Sequence, residues 1–101
     1  MKKIIILIPV YNDWKSVFKL IDNIDLQIAE WKAEVSVLII NDASTEERPD
    51  TEIYLKNIKL FRVINMKKNR GHARCNAAGM KYIYEKEKFD YVILMDGDGE
   101  D

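Results

Sequence analysis

Cysteine is nearly missing from the chain. Cys75 is the only one, so no internal disulfide can form, and a reducing, cytoplasmic setting fits better than secretion. Charge of one sign is missing too: 16 Lys and Arg stand against 17 Asp and Glu, a net of -1. No overall field exists to gather nucleic acid, and any ion site has to be local. No apolar run approaches the ~20 residues that cross a bilayer. The N-terminal run over 4–10 is short, interrupted by Pro9 and followed by polar residues instead of a small-residue cleavage site, which marks a strand and not a signal peptide. Repeats, low-complexity tracts and linkers are absent, as are the glycine patterns of the P-loop and of the dinucleotide fingerprint.

What is present is the composition of one globular domain, 48% hydrophobic and 33% charged over 101 residues. Four short apolar runs have strand length and β-branched content: IIILIPV (4–10), VSVLII (35–40), LFRVIN (60–65) and YVILM (91–95). The first, second and fourth are apolar at nearly every position, as in strands covered on both faces. The third, with Arg62 inside it, suits an edge. Between the first two runs, Val17, Phe18, Ile21, Ile24 and Ile28 recur at helical spacing over 13–31, with Asn12 or Asp13 as N-cap. A second helix is predicted over 70–88, with Ala73, Ala77, Met80 and Tyr84 on one stripe. The polar connection over 43–59 has room only for a short helical piece at 51–55. This alternation predicts an open α/β fold, a mostly parallel, Rossmann-like sheet with helices on both faces.

In such a sheet the segments following the strands gather along one edge, where ligands bind near the point at which strand order reverses. They are Tyr11-Asn12-Asp13, Asn41-Asp42-Ala43-Ser44, Lys67 to Gly71, and Asp96-Gly97-Asp98-Gly99. Any one of these is also what a plain turn looks like; four together argue for a site. In DGDG, carboxylates two apart in extended chain face the same way at ~6.6 Å, and two of them together call for a cation or donor. Hard oxygen ligands suit Mg²⁺ or Mn²⁺, and Gly97 and Gly99 let a diphosphate approach the backbone. An EF-hand needs a preceding helix and a glutamate at its twelfth position, both missing here. A phosphatase-type nucleophile would more naturally follow the first strand. KKNRGHARCNAAG offers basic charge and a glycine at a helix start, a setting for phosphate or a base carbonyl. Lys67 or Lys68 also suits a solvated turn, His72 a cap or packing group, Cys75 a small buried helix residue, and Trp14 and Trp31 packing positions.

Taken in order, IPVYND, INDAST, NRGHARCNAAG and MDGDGED resemble the N-terminal half of the inverting family 2 glycosyltransferases, which have the GT-A fold. The resemblance covers essentially the whole chain and implies a transferase acting on a nucleotide-diphosphate sugar, a UDP- or GDP-sugar. Tyr11 would pack on the nucleobase, Asp42 would accept a hydrogen bond from it, and Arg70 and Gly71 would close the base pocket. Pro9 and Asn12 join the nucleotide-sugar-binding set. Asp96 would meet the ribose or metal, and Asp98 would bind the divalent metal, Mg²⁺ or Mn²⁺, that bridges the diphosphate. An acceptor, glycan, lipid or protein hydroxyl or a polyprenyl phosphate, would attack the anomeric carbon with inversion, as in cell-envelope glycan synthesis, in the cytoplasm or at the inner membrane face. The chain departs from the family pattern at Asn41, often aspartate, and at Ala77, commonly Asn or Arg, with Asn76 displaced by one. No catalytic residue is expected within 1–101: the general base and acceptor site would lie in a C-terminal part, making these residues the donor-nucleotide-binding part truncated after the DxD motif. The alternative is a non-catalytic nucleotide- or metal-binding module complete at 101 residues. An exposed sheet edge would favour self-association.

Overall fold

The computed structural model describes residues 1–49 and 54–96. The four apolar runs form strands, β1 (Lys2–Val10), β2 (Ala33–Asn41), β3 (Ile58–Asn65) and β4 (Tyr91–Leu94). Two helices lie between them, α1 (Trp14–Gln27) and α2 (His72–Lys86). The expected last turn of α1 tightens into a 3-10 turn, Ile28–Glu30. Asp13 takes the N-cap position of α1 without a side-chain bond. The expected helical piece at 51–55 falls largely outside the described residues.

All strand pairs are parallel, in the order β3-β2-β1-β4. The chain steps outward from β1 through β2 to β3, then returns to place β4 on the far side of β1. Strand order therefore reverses between β1 and β4, which defines the crevice in which open α/β sheets take ligands. Crossovers in opposite directions put the helices on opposite faces. Ile6, Ile8 and Val10 of β1, with Val35, Val37 and Ile39 of β2, meet Trp14, Val17, Ile21 and Ile24 of α1. Ile5, Leu7, Leu38 and Ile40 meet Cys75 and Ile83 of α2. Side chains such as Ile6, Leu7 and Ile8 are fully buried, each contributing about 1.5–3 kcal/mol by leaving water.

Pro9 inside a central strand is accommodated by register. The amides of Asp90 and Met95 donate to the carbonyls of Lys3 and Leu7, so the odd residues of β1 turn their backbone groups toward β4. Pairing with β4 ends at Leu7 opposite Leu94, and the N–H that Pro9 lacks falls beyond that point, where no ladder bond is lost.

β3 is an edge strand, as Arg62 suggested. β4 corrects the expectation of a strand covered like β1 and β2: among the described residues nothing pairs with its outer side, and Tyr91 and Leu94 are exposed. The α2 stripe is also corrected. Ala73, Ala77, Met80 and Tyr84 face outward, and the buried line is Cys75, Gly79 and Ile83. Close approach to the sheet decides this, because a Cβ on Gly79 would come within 2.5 Å of Leu7 Cδ1. Small residues win the inner face over larger apolar ones.

One buried carboxylate fixes the entry to β3. Asp25 of α1 accepts the amides of Asn57 and Ile58 at 2.8 Å each through Oδ1, and of Lys56 at 2.9 Å through Oδ2. Its backbone carbonyl accepts Asn57 Nδ2 at 2.6 Å. These bonds hold the carboxyl below its ordinary pKa although burial pushes the other way.

Candidate functional site

The loops after β1 and β2 are locked together by short polar side chains. Asn12 and Ala43 both have left-handed backbone, φ 52° and 56°. The Asn12 amide donates to Ser44 Oγ at 2.9 Å, its Nδ2 to Thr45 Oγ1 at 3.0 Å, and its Oδ1 accepts the Glu46 amide at 2.8 Å. Trp14 Nε1 donates to the Glu46 carbonyl at 3.2 Å. Asn41 Oδ1 accepts the Ser44 amide at 3.1 Å, and Nδ2 donates to Asn65 Oδ1 at 2.9 Å. Asn12, expected among the ligand-binding side chains, thus has its carboxamide engaged within the protein. Pro9 is buried in β1. Tyr11 between them remains 41% exposed at the crevice edge.

Asp42 ties β2 to the segment that precedes α2. It is 1% exposed; Oδ1 accepts the Arg70 amide at 2.7 Å and Oδ2 the Gly71 amide at 2.8 Å. Asn69 Nδ2 donates to its carbonyl at 3.3 Å. Gly71 has φ 88° and ψ 159°, a conformation open essentially to glycine alone. Burial pushes the Asp42 carboxyl upward, but the two amides and the Cys75 thiol outweigh it and hold it below the ordinary range. Cys75 shows the reverse: burial, then the hydrogen bond and the negative charge of Asp42, push its thiol up to about 12. Three of the roughly four lone-pair sites of the Asp42 carboxylate are thereby taken, while the side chain of Arg70 stays exposed.

Asp96 follows β4 on the other side of the crevice. Its Oδ1 lies 3.5 Å from Nδ1 of His72, the first residue of α2, with both side chains nearly half exposed. Sequence reasoning set His72 aside, since nothing local connects it with a carboxylate 24 positions later in the chain. Asp98 lies outside the described residues. A hard divalent ion fits an exposed carboxylate at a strand end, because Mg²⁺ and Mn²⁺ keep water and phosphate ligands and need only one or two protein carboxylates. Among the described residues no three His, Cys, Asp or Glu side chains converge on a metal position.

Beside the crevice, Met66, Arg70, Arg74 and Ala77 line a shallow depression. The buried Oδ1 of Asn76 lacks a hydrogen-bond partner among the described residues. A better enclosed hollow of about 270 Å³ lies between the sheet and the C-terminal end of α2, lined by Lys3, Ser36, Leu60, Arg62 and Tyr82 among others. It is remote from the strand ends and gathers none of the residues above.

Parallel strands in an open sheet, with polar loops converging where their order reverses, define a Rossmann-like α/β domain of the GT-A nucleotide-binding type. The sequence model of glycosyl transferase family 2 matches residues 5–101, and the chain belongs to that family. It is 27% identical over 96 residues to an uncharacterized protein of Methanocaldococcus jannaschii, an alignment covering 93% of this chain and 39% of that protein. The chain therefore spans about two fifths of the length of this curated relative.

Proposed function

We propose that this chain supplies the donor half of an inverting glycosyltransferase. It binds a UDP- or GDP-sugar across the crevice between β1 and β4, and transfers the sugar together with a C-terminal part that carries the acceptor site and general base. The observation that carries this reading is the convergence, in a family 2 member, of exposed Tyr11, the Arg70–Gly71 segment clasped by Asp42, and Asp96 at one sheet edge. Residues 1–101 are then the donor-nucleotide part of a longer domain, consistent with the 39% coverage of the relative.

Each residue has a defined task. Tyr11 offers a ring on which the base stacks. Asp42 holds the base pocket in shape and keeps one lone-pair site for a base N–H. Asn12 sets the loop that presents Tyr11, and Gly71 lets the backbone come close to the ligand. Asp96 orients the ribose and, with Asp98, would hold Mg²⁺ or Mn²⁺. When bound, such an ion stabilises the charge that develops on the leaving diphosphate. Attack by an acceptor hydroxyl or polyprenyl phosphate from the opposite face inverts the anomeric carbon. The exposed outer side of β4, with Tyr91 and Leu94, is the edge through which copies would associate. No helix among the described residues is long and apolar enough to cross a membrane.

Calorimetric titration of UDP and GDP, with and without Mn²⁺, tests the reading. One nucleotide should bind with manganese dependence, and Asp98→Ala should remove that dependence. Tyr11→Ala should weaken binding by at least about fivefold, the lower end of base–aromatic stacking. A folded chain that binds neither nucleotide would overturn it.

A further inference from the structure

We infer that His72 is a positioning residue for the donor site, holding the Asp96 carboxylate in the crevice through its Nδ1–H. The inference rests on the donor-site reading above and adds a residue to it. Asp96 lies just beyond the end of β4 at Leu94, and its side chain is 46% exposed. An aspartate there samples several rotamers, and ordering one of them costs free energy when a ligand binds. Among the described residues Asp96 meets His72, 3.5 Å away on a different element.

His72 is itself well anchored. It opens α2 directly after Gly71, whose amide is held by Asp42 at 2.8 Å. The helix behind it is pinned to the sheet by Cys75 and by Gly79, packed against Leu7. The imidazole also lies near enough to Asp42 for their charges to interact. It therefore stands between the carboxylate that shapes the loop and the carboxylate that faces the ligand. With Nδ1 turned toward Oδ1 of Asp96, the imidazole leaves the second carboxylate oxygen for a cation or ribose hydroxyl. This is the outer support that ligating carboxylates generally require.

The test uses the intact chain, UDP and GDP as probes, titrations with and without Mn²⁺, and thermal melts of each variant. His72→Ala should reduce the manganese-dependent gain in nucleotide affinity about tenfold, the low end of the effect of losing outer-shell support. Binding without metal, which loses only the ribose contact of Asp96, should fall by less, and the melting temperature should stay unchanged. His72→Asn places an N–H where Nδ1 stood and should restore most of the gain. An undiminished gain in His72→Ala would overturn the inference, as would equal losses with and without metal accompanied by a lower melting temperature, or failure of His72→Asn to rescue. If the unsubstituted chain binds neither nucleotide, the donor-site reading fails and this inference with it. If it binds with a manganese dependence that His72→Ala leaves untouched, the inference alone fails.

Discussion

Asp42 Oδ2 accepts the amide of Gly71 at 2.8 Å across 29 positions of sequence. The bond joins the end of one strand to the start of a helix on the opposite face of the sheet. With the companion bond to the Arg70 amide, it converts two polar loops into one rigid rim. Gly71 is needed there because its backbone has φ 88°, which a side chain would oppose. The candidate site is thus built on a buried, charge-assisted contact and not on loop sequence alone.

That contact gives stability a pH dependence with a definite sign. The folded pKa of Asp42 is depressed, so its contribution is complete above the unfolded value of about 3.9 and is lost as pH falls through the folded value. Asp42→Asn should cost about 1–3 kcal/mol at pH 7, because its amide group faces another donor. Urea melts at pH 7 and pH 3 should show the gap between the two proteins narrowing in acid. An equal gap at both would contradict the assignment.

Asp25 should matter as much for the fold, far from the site. Asp25→Ala removes the acceptor for three amides, of which Ile58 is buried. A loss of about 2–3 kcal/mol is expected. Hydrogen exchange at Ile58 should accelerate by the same free energy, which separates local loosening of β3 from a general effect.

Ala43 holds φ 56°. A left-handed alanine costs roughly 1–2 kcal/mol, and glycine returns part of the gain as unfolded-state entropy, roughly 0.5–1 kcal/mol. Ala43→Gly should therefore raise stability by up to about 1 kcal/mol, measured by the urea midpoint. A decrease would mean that the alanine methyl makes packing contacts outweighing its backbone strain.

Cys75 should be chemically silent. Its thiol is fully buried and its pKa is raised to about 12, so at pH 8 the native protein holds almost no thiolate. Alkylation by iodoacetamide should proceed only on unfolding, and Asp42→Ala should speed it. Rapid labelling of the native wild type would refute the burial and the contact with Asp42.

The GT-A-like alternation was legible because strand and helix periods differ and because β-branched runs are separated by polar turns. The edge position of β3 was legible from Arg62. The inner face of α2 was not: Met80 and Tyr84 are the larger apolar residues, yet Cys75, Gly79 and Ile83 line the sheet because the helix approaches Leu7 too closely for bulk. The exposure of β4 was hidden for a related reason, since an apolar run does not say how many neighbours will flank it.

By itself the sequence determined the strands, the helices, their order and the list of polar segments at the strand ends, because these follow from local periodicity and turn chemistry. Only the tertiary structure decided which polar groups face a ligand and which hold the protein together. Asn12 and Asp42, expected to meet a nucleotide sugar, and Asp25, for which the sequence suggested no role, are all engaged by groups more than 25 positions away. His72, read in sequence as a cap or packing group, meets Asp96. Hydrogen-bond partners are chosen by distance in space, and parallel crossovers bring together residues that no local pattern connects.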